Sequence, residues 1–159
     1  MDKNQAIINF ICQCPQIENN PLFFNFIHGK EDNKQIITQS NEKTLNRNYI
    51  NGDVLKRYTV SLIDFKSVTY NAVVKETGYV DENVEDMAEV QDLIDWIEEQ
   101  TGLRNFPDFG ENCIIDDMQV LTENPNLNGV DTNVSPALAK YSISIQVDYI
   151  DTSKRIWNN

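Results

Sequence analysis

The sequence predicts an α+β domain in which two main helices pack on one face of an antiparallel sheet. Two segments carry apolar residues at helical spacing, and the segments 58–62 and 137–150 alternate apolar with polar residues, as half-buried strands do. Asn51-Gly52 separates two strand-like segments and is typical of a tight hairpin. Helices packed on the apolar face of such a sheet make a two-layer fold. A chain of 159 residues fits one domain, residues 1–159.

The elements of the first half follow from local patterns. Asp2 is a favourable N-cap for a first helix, and Pro15 ends its apolar pattern. The compact apolar residues from Phe23 to Ile27 predict a short strand, and the β-branched residues of 34–39 predict another. The core-facing stripe expected of the first helix comprises Ala6, Ile7, Phe10, Ile11 and Cys14.

The second half begins with a segment that lacks any sustained period. Residues 66–83 are therefore predicted to form a long loop or arm. A second helix follows from Val84 to Thr101 and is expected to stop at Gly102. Residues 113–121 predict a strand, and a loop is expected up to Pro136, before the final strand. The apolar stripe expected of this helix comprises Met87, Val90, Leu93, Ile94 and Ile97, with acidic residues opposite.

The charge of the chain narrows the classes of partner. Thirteen Lys and Arg against 25 Asp and Glu leave a net charge of −12, which disfavours general nucleic-acid binding and binding to anionic membranes. The opening residues lack the profile of a signal peptide, and no apolar segment approaches the length of a membrane span, so we expect a cytoplasmic origin. Cys12, Cys14 and Cys113 are expected to remain reduced, because their number and spacing give no disulfide framework.

No catalytic pattern is recognisable. His28 is the single histidine and has no nucleophile motif near it, and the phosphate-binding glycine motifs are missing. The acidic segment 81–86 lacks the glycine-centred frame of a calcium loop. Asp116 and Asp117 are adjacent in a predicted strand, so their side chains are expected on opposite faces. The sequence thus predicts neither an enzyme nor a cofactor or metal site.

Aromatic residues outside the predicted core suggest an interaction surface instead. Trp96 lies on the acidic side of the second helix, where it either folds over the core rim against Pro107 and Phe109 or anchors another chain. The basic and aromatic end of the chain either frays or binds a neighbouring subunit. The candidate interface residues are Trp96, Tyr70, Tyr79, Arg155 and Trp157.

Residues 89–121 (EVQDLIDWIEEQTGLRNFPDFGENCIIDDMQVL) and 137–150 (ALAKYSISIQVDYI) carry a resemblance over nearly the whole chain. With the hairpin and the opening helix, they resemble the tail terminator (tail completion) proteins of long-tailed phages that infect Gram-positive bacteria. The resemblance implies a non-catalytic α+β protein of the virion tail, assembled in the host cytoplasm as a hexameric ring that ends the tail tube and docks the head. The implied partners are other copies of the chain, the tail tube protein, a sheath protein in contractile tails and the head–tail connector.

If the chain forms a hexameric ring, its negative charge could affect the passage of DNA through the ring. A domain of this length is about 40 Å across, so the hole of a hexamer would be wider than duplex DNA. Carboxylates around it would let DNA pass without specific binding; the candidate lumen-lining acids are Asp81, Glu82, Glu85 and Asp86. Two alternatives stay open, a neighbouring head–tail connector or head completion protein and an acidic DNA-mimic inhibitor.

Overall fold

The computed structural model describes residues 2–17, 22–24, 33–67, 72–75, 78–122, 126–132 and 137–156. The predicted α+β class is confirmed, with an antiparallel sheet and two helices. The elements in chain order are α1 (Lys3–Ile11), β1 (Leu22–Phe24), β2 (Asn33–Asn48), β3 (Val54–Ser67), β4 (Ala72–Lys75), β5 (Gly78–Asp81), α2 (Glu82–Gly102), β6 (Cys113–Val120), β7 (Asn126–Asp131) and β8 (Leu138–Asp151).

The main sheet has the order β1-β2-β3-β8-β6. β3 and β8 pair along their whole lengths in antiparallel register, from Val54 opposite Asp151 to Ser67 opposite Leu138. β6 and β7 both pair with β8. β6 lies along the C-terminal half of β8, and β7 lies along the N-terminal half of β8. Among the described strands, only β1 runs parallel to its neighbour, β2. β4 and β5 form a separate two-stranded sheet.

The core lies between one face of this sheet and the two helices. The alternation predicted for the last strand is confirmed, because Tyr141, Ile143, Ile145, Val147 and Tyr149 are all buried against the helices. The stripe predicted for α1 is buried as expected, and Asp2 caps the helix by accepting a hydrogen bond from the Asn4 amide. The apolar helix faces supply the main stabilisation, since burial of large side chains dominates folding. From α2 the core receives Val90, Leu93, Ile94 and Ile97.

β3 is buried on both faces in its second half. The predicted alternation is right for Tyr58, Val60 and Leu62, which all face the helices. The expected wet face is wrong beyond Thr59, because Ile63 and Phe65 are buried together with Leu138 on the opposite side of the sheet. A single sequence cannot reveal this second cover, since it depends on what folds over the far face.

Three segments of the chain differ from the prediction in the strands that they contain. β2 unites two predicted strands, and its register shifts against β3 explain why the apolar alternation is broken in the sequence. Residues 66–83, predicted to form a loop or arm, contain the β4–β5 hairpin, together with the end of β3 and the start of α2. β7 lies inside the loop predicted before Pro136, and its two apolar residues with described side chains, Leu127 and Val130, are exposed and so do not form a core-facing pattern in the sequence.

The ends of α2 also differ from the prediction. The helix begins at Glu82, and Met87 is 40% exposed because it lies at the margin of the core-facing arc. Gly102 remains helical, and the left-handed residue is Arg104, with φ of 57°. The amides of Arg104 and Asn105 donate to the carbonyls of Thr101 and Gln100, which completes a Schellman ending.

Gly102→Ala is expected to raise the free energy of unfolding by about 0.5–1 kcal/mol, because alanine favours helical backbone and restricts the unfolded chain. No heavy atom lies within 4 Å of a Cβ built at this position. Urea unfolding measures the change. Ala88→Gly, the reverse substitution at an exposed position of α2, is the control and should lower the free energy of unfolding by a similar amount. A destabilised Gly102→Ala variant would mean that Gly102 itself ends the helix in the left-handed region.

Candidate functional site

The hairpin between β2 and β3 forms a well-ordered corner at one end of the sheet. Gly52 has φ of +90°, as the predicted tight hairpin requires, and its amide donates to the Tyr49 carbonyl. The Asn51 amide group donates to the Asp53 carboxylate, and the Asp53 amide donates back to the Asn51 side-chain oxygen. The turn is therefore held by side chains as well as by its backbone.

The C-terminal segment 152–156 packs directly on this turn. The Ile156 amide donates to the Asn51 carbonyl at 2.7 Å, and the Thr152 amide donates to the Asn112 carbonyl at 2.9 Å. A Cβ added to Gly52 would lie only 2.4 Å from the Lys154 carbonyl oxygen, which shows how closely the two segments approach. The expectation of a frayed end is wrong for the described residues up to Ile156, while Trp157 lies outside them.

Three ion pairs tie this end of the sheet together. Arg155 donates from Nε and from its terminal nitrogen to the two oxygens of Asp53, at 3.1 and 2.8 Å. Arg57 makes the same two-pronged contact with Asp148 across β3 and β8, at 2.8 and 2.9 Å. Lys56 contacts Asp151 at 2.7 Å. Two-pronged guanidinium–carboxylate pairs fix geometry as well as charge, so the corner is rigid.

Two of these carboxylates, Asp53 and Asp151, have pKa values shifted from the ordinary one. Hydrogen bonds from Arg155 hold the pKa of Asp53 below its ordinary value, against the opposing effect of burial. Burial raises the pKa of Asp151, but hydrogen bonds from Lys56 and Ser153 outweigh it and leave that pKa well below the usual range. Both groups therefore favour the folded state in their ionised form.

The Asp53–Arg155 pair is expected to make stability depend on pH. Because the folded pKa of Asp53 is depressed, its contribution is complete above the unfolded pKa of about 4 and is lost as the pH falls through the folded value. The difference in free energy of unfolding between wild type and Asp53→Asn should therefore shrink below about pH 4. Urea unfolding over a pH series measures it. In an Arg155→Gln background this pH-dependent difference should largely disappear; if it persists, the pair is not its source.

Exposed apolar side chains project from the same corner. Ile50 is 94% exposed, Ile156 67% and Tyr49 43%. Lys154 is also exposed and forms no ion pair with any described residue. We call Tyr49, Ile50, Lys154 and Ile156 the hairpin-end surface. Isolated exposed apolar residues are ordinary, but this group occupies one rigid corner and is a candidate contact for another protein.

The predicted interface residues fall in different places. Trp96 is half-buried and packs against the core cluster that contains Phe10 and Phe109, with its ring centroid 5.3 Å from that of Phe10 on α1. Arg155 belongs to the corner, where its guanidinium is engaged within the chain. Tyr79 lies in β5, whose backbone alone is described. Tyr70, His28 and Ile27 are outside the described residues.

The candidate lumen-lining acids surround the beginning of α2. Asp81 ends β5 and Glu82 begins the helix, while Glu85 and Asp86 follow within its first turns. Negative charge is favourable at a helix N-terminus because the amide groups there are positively polarised. Acidic residues at these positions are compatible with the start of a helix, which the sequence had predicted two residues later, at Val84.

The side chains that could bind a metal ion do not converge within the part of the chain that is described. No group of three or more His, Cys, Asp or Glu side chains there is arranged to hold a metal ion. Cys12, Cys14 and Cys113 are all free thiols. Asp116 sits at a bulge of β6 opposite β8 and is exposed. Neither described helix is both long and apolar enough to cross a membrane.

The sequence pointed to the Asn51-Gly52 turn and to Arg155 but not to Asp53, which binds both at the corner. The signal available was the sequence Asn51-Gly52-Asp53, in which an aspartate follows the turn glycine, but its partner is 102 residues away. Neither a protein-family model nor a curated protein matches this chain.

Proposed function

We propose that this chain is a structural protein of a phage tail, which forms a hexameric ring that ends the tail tube and provides the docking surface for the head. The observation that carries the proposal is the rigid hairpin-end corner, where Ile50 and Ile156 are exposed on a framework of three ion pairs. Such a corner suits contact between protein subunits, because preorganised apolar residues lose little freedom on binding. The resemblance of residues 89–121 and 137–150 supplies the identity of the assembly.

The excess of carboxylates supports a ring around passing DNA. With a net charge of −12 per subunit, a hexamer would repel phosphates over the roughly 8 Å of a physiological Debye length. We assign Asp81, Glu82, Glu85 and Asp86 to the lumen in this proposal. Its partners would be the tail tube protein, the head–tail connector and, in contractile tails, a sheath protein. The chain would act by its geometry, without catalysis or cofactor.

Deletion of the gene in the phage or prophage that encodes it tests the proposal. We expect particles with tails of uncontrolled length and separate filled heads, and the purified chain should restore normal joined particles when added to them. Negative-stain microscopy provides both measurements. Normal-length tails that lack only the attachment to heads would instead indicate a head–tail connector protein. Intact virions without the chain, together with tight binding to a basic DNA-processing enzyme, would indicate a DNA-mimic inhibitor.

A further inference from the structure

The outer face of α2 carries a concentration of negative charge that the helix itself does not neutralise. The helix contains eight Asp and Glu residues and neither Lys nor Arg. Asp92, Asp95 and Glu99 are exposed along one side at spacings of three and four residues, where like charges repel. Glu98 and Glu99 lie near the C-terminus, the end at which the helix dipole disfavours anions. Cations from another source would relieve this repulsion.

The hairpin end has the opposite character. Residues 49–57 and 148–156 contain four Lys and Arg against three Asp. Each of the three aspartates is held by one cation, in the pairs Asp53–Arg155, Asp148–Arg57 and Asp151–Lys56. Lys154 is the cation left over, and it stands beside the exposed Ile50 and Ile156. On a chain of charge −12, this corner is a local basic and apolar surface.

Within one chain the two surfaces are too far apart to neutralise each other. Glu98 of α2 lies beside Met118 and Val120, at the C-terminal end of β6. Lys154 lies beside Asp151, which is paired with Cys113 at the N-terminal end of β6. The two charged groups are therefore separated by most of the length of this strand. A strand of this length spans on the order of 20 Å. That distance exceeds the Debye length of about 8 Å at physiological salt. The complementary charges can therefore meet only between molecules.

We propose that the hairpin-end surface of one copy docks on the outer face of α2 of the next copy, head to tail. Lys154 would face the carboxylates of Asp95 and Glu99, and Ile50 and Ile156 would meet exposed apolar residues near the ends of that helix. Leu103, which is 68% exposed just beyond α2, is one of them. Two different patches on each copy make a heterologous contact, which closes into a ring when the rotation permits. This inference rests on the proposed function and names its subunit interface.

Charge reversal on each surface tests the contact. The acid-reversed variant is Asp95→Lys/Glu99→Lys and the base-reversed variant is Lys154→Glu. Each purified variant should self-associate with an association constant at least about tenfold lower than that of wild type, as measured by sedimentation velocity. The acid-reversed variant should also unfold at a higher temperature than wild type, because lysines suit the end of a helix. Weaker association combined with greater stability cannot be attributed to unfolding.

Mixing the two variants gives the decisive result. In an equimolar mixture each reversed surface finds its complement on the other variant, so association should return close to that of wild type, with the two variants alternating. Failure of the mixture to recover, or unchanged association of both single variants while wild type still assembles, would overturn this interface and leave the proposed ring in place. A wild-type chain that remains monomeric at every concentration, even with tail tube protein present, would contradict both proposals.

Discussion

Phe10→Ala is expected to lower the free energy of unfolding by about 3–5 kcal/mol, the usual cost of removing a buried aromatic ring. Phe10 is fully buried in the core between α1, α2 and the sheet. Its ring centroid lies 5.3 Å from that of Trp96, so it joins the two helices directly. The cavity left by alanine would remove contacts from both helices at once, since packed interiors relax only partially.

Urea unfolding measures this change, and tryptophan fluorescence reports where it acts. A Trp157→Phe background leaves Trp96 as the single tryptophan, and its emission should shift to longer wavelength when Phe10 is removed. Ile50→Ala serves as the matched control, because Ile50 is almost fully exposed and its truncation should change stability by less than about 0.5 kcal/mol. Equal losses in the two variants would contradict the position assigned to α1.

Gly52→Ala is expected to destabilise the chain by about 2–4 kcal/mol, through backbone strain and a steric clash together. The φ of +90° is costly for any residue with a Cβ. In addition, that Cβ would lie 2.4 Å from the Lys154 carbonyl oxygen, which is backbone and cannot rotate away. The C-terminal segment would have to leave the turn. Hydrogen exchange at the Ile156 amide, which donates to Asn51, should then become faster.

Gly129→Ala separates strain from the clash. Gly129 also has a positive φ, of 143°, but no heavy atom lies within 4 Å of its added Cβ. Its substitution should cost only the strain, about 1–2 kcal/mol by urea unfolding. If the two alanine variants were equally destabilised, the C-terminal segment would not lie against Gly52. The hairpin-end surface would then lack the support described for it.

Local chemistry made much of the fold predictable. The Asp2 cap, the stripe of α1 and the alternation of Tyr141 to Tyr149 are confirmed, because each depends on neighbours within a few residues of the chain. The position of the Asn51-Gly52 turn is confirmed for the same reason, because the ability of glycine to adopt a positive φ depends on the residue alone. The predictions that were wrong concern residues at the edge of a pattern: Met87 was expected in the buried stripe of α2 and is partly exposed, and Gly102 was expected to end the helix and is helical.

The candidate site was predictable only in part. The sequence indicated that the basic C-terminal segment and Trp96 were unusual, but it did not indicate what they contact. Trp96 lies on Phe10, 86 positions before it in the chain, and Arg155 reaches back to Asp53. No periodicity relates residues at such separations. The Asp53–Arg155 pair follows from the register between β3 and β8, which brings Val54 opposite Asp151, whereas the Phe10–Trp96 contact follows from the packing of both helices on one core.

By itself, the sequence determined the class of the fold, the composition of the main helix and strand faces, and a surface rich in negative charge, because these depend on residue type and spacing. The tertiary structure alone decided that β3 is covered on both faces, that β7 joins the sheet with Leu127 and Val130 exposed, and that residues 152–156 pack on the hairpin. Each of these depends on a contact between distant segments. The free energy of such a contact arises only after the sheet has brought the two segments together.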